Sequence, residues 1–184
     1  HQNISRVGAL DLGFFNTAFD FSFEKKLQEK IQENKPVVFL LGQDEIKMEI
    51  LKDAFVVYLG HHGDKGASIA DVILPTPAYT EESSTYTNAE GRVLQTSKCH
   101  SALGETKEEW KIFRVLSDYF EKSFQFNNLE QLRKNIIIEN PLFSDLFKIS
   151  KGNGISFGSV NTIEERNIDY NIDNFYMNDV ISKY

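Results

Sequence analysis

Three short apolar runs, each bounded by glycine or proline and separated by helical or loop stretches, predict an α/β fold built on an open, mostly parallel sheet. The runs are "PVVFLLG" at Pro36 to Gly42, "AFVVYLG" at Ala54 to Gly60 and "ADVILP" at Ala70 to Pro75. Each is rich in branched residues and short, which marks a strand buried on both faces. A helical pattern precedes the first run, a helix-length stretch separates it from the second, and a loop leads to the third. That alternation is Rossmann-like, a parallel sheet flanked by helices, and the later sequence adds an extended β ribbon and a C-terminal tail.

The helix before the first strand runs from Phe23 to Asn34, with Phe23, Leu27 and Ile31 at four-residue steps and Glu24, Lys25, Lys26, Glu29 and Lys30 on its polar face. Asn34 and Pro36 stop it. Between the first two strands, "QDEIKMEILKD" has room for about two or three helical turns. Ile46, Ile50 and Leu51 would face the sheet, and the length suits a right-handed crossover. From Thr85 to Thr96, Thr, Tyr, Val and Leu flank "NAEG", so a hairpin-like ribbon turning near Asn88 to Gly91 is expected. "TKEEWKIFRVLSDYFEKS" is the strongest helix, with Thr106 as N-cap, Glu108 and Glu109 in the first turn, and Trp110, Phe113, Leu116 and Phe120 along one face. "FNNLEQLRKNIIIENPLFSDLFKIS" reads as two helical pieces broken at Pro141, followed by the loop "KGNGISFGS". Beyond Asn161, isolated apolar residues among many Asn and Asp suggest an extended tail ordered by another surface, so the isolated chain is expected to be poorly soluble or partly disordered there. The expected division is an α/β domain over residues 1–125 and, over 126–184, a helical segment with an extended tail for subunit contacts.

With 184 residues, 41% of them hydrophobic, the chain can form one main domain with a real core. A net charge of -7 and a pI near 5.1 disfavour nucleic acid as a partner, because phosphate backbones need a basic surface. The single cysteine, Cys99, cannot close an internal disulfide, hold a structural zinc by thiolates or ligate an iron-sulfur cluster. The apolar runs are far shorter than the roughly 20 residues that cross a bilayer, so no direct membrane span is expected from them. The sequence starts at His1 with no Arg-rich leader, and the compartment is not read from its start.

Chemistry-bearing residues crowd between Leu59 and Thr96. His61 and His62 are adjacent, so on leaving a strand they point in opposite directions and share a metal poorly; Asp64, Cys99 and His100 are further ligands only if the fold gathers them. Gly60, Gly63 and Gly66 follow a strand where parallel sheets place ligand crevices. Their G-x-x-G-x-x-G spacing matches no phosphate-binding fingerprint, and no helix with a free N-terminus is evident after them. Glycines serving positive φ in a tight strand-end loop are the simpler reading. Glu81 and Glu82 could form a carboxylate pair, with a solvated polar loop as the plainer alternative. Ser83 and Ser84 lack the nucleophile elbow of a serine hydrolase.

"ADVILP" at Ala70 to Pro75, "YTEESSTYTNAEGR" at Tyr79 to Arg92 and "EEWKIFRVLS" at Glu108 to Ser117, with "GHHGD" beside them, closely resemble the C-terminal region of the large iron-sulfur subunit of respiratory complex I, a branch of the molybdopterin oxidoreductase superfamily. "ALDLGF" at Ala9 to Phe14 and "FYMNDVIS" at Phe175 to Ser182 extend the resemblance towards both ends, while residues 121–170 match weakly. The family usually carries a glutamine two residues after the arginine of "N-x-E-G-R", where this sequence has Leu94.

The resemblance implies membership of a complex that passes electrons from NADH through clusters to quinone and pumps protons. It places the cluster cysteines in the subunit's N-terminal part, where the iron-sulfur clusters are expected, and it implies that the pterin embraced by this region in metal-bearing relatives has been lost, so no cofactor is expected in this chain. The partners implied are other peripheral-arm subunits, above all that cluster-bearing companion part. The location implied is the matrix side of the mitochondrial inner membrane, or the cytoplasmic face in a prokaryote. Catalytic and metal residues are then none, and Gly60, His61, His62, Gly63, Asp64, Glu81, Asn88, Glu90 and Arg92 remain as a vestigial cofactor crevice. Tyr58, Tyr79 and Tyr86 join the histidines as expected interface residues. Two other readings stand beside this one: a fragment of a redox enzyme that still binds a molybdenum pterin or a nucleotide at the strand ends, and a small-molecule-binding α/β module unrelated to respiration.

Overall fold

The computed structural model describes residues 6–14, 23–42, 46–63, 65–88 and 90–148. Two helices, α1 (Arg6–Asp11) and α2 (Phe23–Asn34), precede a parallel sheet of β1 (Val37–Leu41), β2 (Phe55–Gly60) and β3 (Val72–Pro75), with the short α3 (Lys65–Ile69) between β2 and β3. The sheet order is β1-β2-β3, Leu40 pairing with Tyr58 and Tyr58 with Ile73. Successive parallel strands stepping in one direction require crossovers on one face. On that face Val56, Tyr58 and Leu40 pack with Ile31 and Leu27 of α2, with Leu51, and with Ala67 of α3.

Asp71 gives "ADVILP" its place. Its carboxylate accepts from the Val56 amide at 2.7 Å while its own amide donates to the Val56 carbonyl at 2.9 Å, a reciprocal latch that starts β3 in register against β2.

Burial on both faces holds for β2 alone. Val37 is 55% exposed, Leu41 47% and Ile73 52%, because β1 and β3 are the edges of a three-stranded sheet within the described residues. The stretch between β1 and β2 also differs from the expected two or three helical turns: its described part contains a single 3-10 turn, Met48–Leu51. Ile46, Met48, Ile50 and Leu51 all pack on the core, and apolar residues at alternate positions suit an extended approach closed by one tight turn better than a one-sided helix.

The ribbon forms as expected, β4 (Thr85–Thr87) pairing antiparallel with β5 (Val93–Gln95). Helix α4 (Glu109–Tyr119) begins later than the sequence suggests. Thr106 is not its cap; the Thr106 hydroxyl donates to the Leu103 carbonyl at 3.0 Å, and Glu108 takes the N-cap position with its carboxylate on the Trp110 indole N–H, also at 3.0 Å. Phe120 is 65% exposed, since α4 ends before it and the next residue, Glu121, has φ 56°. Trp110, Phe113 and Leu116 do turn inward, and Phe113 meets Phe39 with ring centroids 5.6 Å apart.

The two pieces broken at Pro141 are α5 (Leu129–Glu139), capped by Asn128, and a 3-10 turn, Pro141–Ser144. They are built onto the ribbon: Arg133 reaches the Thr85 hydroxyl and the Ser84 carbonyl, both at 3.3 Å, and the Phe147 amide donates to the Val93 carbonyl at 2.8 Å. Asn140 ties this layer to α1 by donating to the Asp11 carbonyl at 2.6 Å. The loop "KGNGISFGS" and the tail from Asn161 lie outside the described residues.

Candidate functional site

The loop after β2 is organised by Tyr58, which sequence reading placed at an interface and the structure buries. Two residues apart on one strand, Tyr58 and Gly60 share a face. The Tyr58 ring therefore folds under the Gly60 α-carbon, and its hydroxyl donates to the His62 carbonyl at 3.1 Å. A Cβ at Gly60 would meet the ring, with Cζ 2.5 Å away. Close approach is the reason for this glycine; the positive φ expected of Gly60, Gly63 and Gly66 is found instead at Gly13, Gly42, Gly91 and Gly104. The Gly60 carbonyl accepts from the Thr76 amide at 3.1 Å, which draws the end of β2 to the chain leaving β3.

The His61 and His62 rings stand edge to face, 5.8 Å apart at an interplanar angle of 80°, as two side chains leaving a strand in opposite senses should. Asp64 lies outside the described residues. A one-turn helix, α3, does start directly after the loop, at Lys65, where none was expected. Cys99 is exposed, and His100 lies 3.9 Å from Glu81. Among the described residues no group of three or more His, Cys, Asp or Glu side chains is arranged to hold a metal ion.

The polar run before and within the ribbon is bound to its own backbone. Glu81 accepts from the Ala78 amide at 3.0 Å, and Ser83 Oγ accepts from the Lys98 amide at 3.1 Å. Asn88 directs its side-chain oxygen at the amides of both Glu90 and Arg92, each at 3.0 Å, and Gly91 supplies φ 79°. This is an Asx turn closing the hairpin. Arg92 pairs with Glu90 at 3.4 Å.

Glu82 is a strongly perturbed carboxyl. Burial raises its pKa from 4.5 to about 7, against the lowering effect of the Ser84 hydroxyl at 2.7 Å, and the carboxylates of Glu109 and Glu108 add to the rise. The half-buried Tyr86 hydroxyl is raised as well, first by burial. Sequence reading paired Glu82 with its neighbour Glu81; the fold pairs it with Glu109 from the first turn of α4. The run "EE" before "WKIF" was the available signal, but its juxtaposition with Glu82 depends on how the ribbon meets α4.

Of the crevice candidates, Gly60 and His62 gather around Tyr58, Glu81 sits at its own turn, and Asn88, Glu90 and Arg92 share the hairpin. Glu81, Asn88 and Glu90 already serve the backbone or a neighbour in their own segments. A pterin cradle needs polar groups that converge on one volume and are free to face it, and these side chains are engaged within their own segments. The exceptions are Arg92 Nε and the Thr87 hydroxyl, which are buried without hydrogen-bond partners. A groove lies elsewhere, between the sheet and α4, and is lined by apolar residues and two lysines.

Comparison with known proteins bears on this arrangement. The family model for molybdopterin oxidoreductase matches residues 1–119. This chain belongs to the molybdopterin oxidoreductase family. Within the family it is 42% identical over 195 residues to the mitochondrial NADH-ubiquinone oxidoreductase 78 kDa subunit of Candida albicans, covering all of this chain and 25% of that protein. It is 39% identical over 183 residues to an NADH-quinone oxidoreductase subunit of Rickettsia typhi, again over all of this chain and 25% of the relative. The NADH-ubiquinone oxidoreductase 75 kDa subunit of Reclinomonas americana shares 47% over 135 residues, 72% of this chain and 18% of its own length. The chain therefore spans about a quarter of the length of the first two of these relatives. These matches agree with the resemblance carried by "ADVILP", "YTEESSTYTNAEGR" and "EEWKIFRVLS", and Asp71 and Asn88 lie within the residues that match the family.

Proposed function

We propose that this chain is a non-catalytic, cofactor-free architectural piece of the peripheral arm of NADH:quinone oxidoreductase, supporting electron transfer by clusters that its companion part holds. The observation that carries this reading is the closure of the strand-end loop: the Tyr58 ring occupies the space beneath Gly60 and its hydroxyl ties down His62. A loop that embraces a cofactor keeps its backbone open to the ligand, whereas at Gly60 the space is filled by the ring of the loop's own strand. The similarity to subunits of NADH-quinone oxidoreductases supports the same assignment. Its partners are then the cluster-bearing part of the large subunit and neighbouring arm subunits, on the matrix side of the mitochondrial inner membrane or the bacterial cytoplasmic face. No helix among the described residues is long and apolar enough to cross a membrane.

A second reading has one observation in its favour. The unpartnered Arg92 Nε and Thr87 hydroxyl are the kind of buried groups that a pterin or nucleotide could satisfy. Elemental analysis for molybdenum and tungsten, with extraction of pterin and nucleotide from the chain purified in its complex, separates the two. The architectural reading expects none of these bound to this chain. Stoichiometric pterin or nucleotide on it overturns that reading.

A further inference from the structure

A parallel sheet is stable when helices cover both of its faces. Here one face carries α2, the 3-10 turn and α3, and the opposite face carries α4. Beside α4 runs a groove of about 510 Å³, lined by Phe39, Val57, Val72 and Leu74 of the sheet and by Val115 and Tyr119 of α4. Val115 is 60% exposed and Tyr119 80%, although both stand on the apolar rim of this groove. Side-chain alternation puts Val37, Leu41 and Phe55 on the same face, and each of them is about half exposed.

Handedness says what kind of element belongs there. The crossovers among β1, β2 and β3 and the preceding helix α2 lie on one face, as right-handed connections stepping away from β1 must. In a doubly wound sheet, strands added beyond β1 step the other way, so their helices fall on the opposite face, which is the grooved one. About three-quarters of the length of the relatives lies outside the span this chain matches, so chain to supply such a helix exists in the subunit.

We propose that the groove between α4 and the sheet receives the apolar face of an amphipathic helix carried by that remaining part of the large subunit. The inference rests on the architectural reading above and names the surface through which the piece docks. Docking covers the edge-strand apolar residues and continues the core across the junction.

The test places a photo-crosslinking phenylalanine analogue at Tyr119 of the full chain in cells and analyses the purified complex by mass spectrometry. Crosslinks to one helical segment of the remaining large-subunit sequence are expected. Val115→Glu should lower recovery of the chain with that part by about tenfold, and Val115→Leu should leave it unchanged. Crosslinks to residues 149–184 of this chain, to a second copy or to another polypeptide overturn the proposal, as does no crosslink from a chain that is recovered in the complex. If the unmodified chain is not recovered with the complex at all, the architectural reading itself fails, and the docking proposal with it.

Discussion

Tyr58 and Gly60 show how much one pair of side chains decides. Gly60→Ala places a methyl group against the Tyr58 ring, and overpacking of that kind costs about 1–3 kcal/mol. Urea denaturation of the two proteins measures the loss. In a Tyr58→Leu background the same substitution should cost much less, because the ring is gone; an equal cost in both backgrounds would locate the strain elsewhere. Glu82 makes a second prediction. Its folded-state pKa is raised to about 7, so the native state holds the proton more tightly than the unfolded chain. Stability from this group is complete below about pH 4.5 and is lost as pH rises through 7. Glu82→Gln should therefore flatten the stability profile between those values and raise stability at pH 8 by on the order of 1 kcal/mol, after discounting a half-buried site for solvent screening. A Glu82→Gln protein that loses stability equally at pH 5 and pH 8 would contradict the assignment. Neither residue's role was legible from composition. Both depend on a neighbour reached through strand alternation or through the packing of the ribbon, whereas the Asn88 turn, set by residues within four positions, was legible as written.

At the scale of elements, local pattern predicted what local interactions hold. The bounds of α2 follow from its four-residue apolar steps and its Asn34 and Pro36 stop, and the strand positions follow from their flanking glycines and prolines. The apolar run of β1 looked as buried as that of β2 because composition does not tell an edge strand from a central one; what lies beyond the edge is not written in the strand itself. The cap of α4 was misplaced for a related reason: Thr106 has an alternative local acceptor in the Leu103 carbonyl, and Glu108 is held by Trp110. Helix α4 is joined to the segment before α5 by Arg114, whose Nε donates to the Phe126 carbonyl at 2.9 Å while its guanidinium meets Asp118 at 2.7 Å and Asn127 at 3.3 Å. Ser117 reinforces the joint by donating to the Arg114 carbonyl and accepting from the Phe124 amide. Arg114→Ala should cost about 1–3 kcal/mol by leaving the Phe126 carbonyl without its donor. Arg114→Lys should recover little of it, because an ammonium lacks the planar fork that serves three acceptors. Full recovery by lysine in thermal denaturation would reduce the joint to simple charge.

For the whole molecule, the described residues make a sheet with one well-covered face, a ribbon bound to α5, and a strand-end loop closed from within. The proposed architectural role of the "GHHGD" to "N-x-E-G-R" region draws on these features, and the apolar face beside α4 is where the docking proposal seats a helix from the rest of the subunit. That region lies within the residues that match the molybdopterin oxidoreductase family. The most direct measurement is co-migration of the tagged full chain with NADH dehydrogenase activity on a native gel of solubilised membranes. The account predicts that the chain runs in the active band, together with the cluster-bearing part of the large subunit. A chain that migrates apart from all NADH dehydrogenase activity would contradict it.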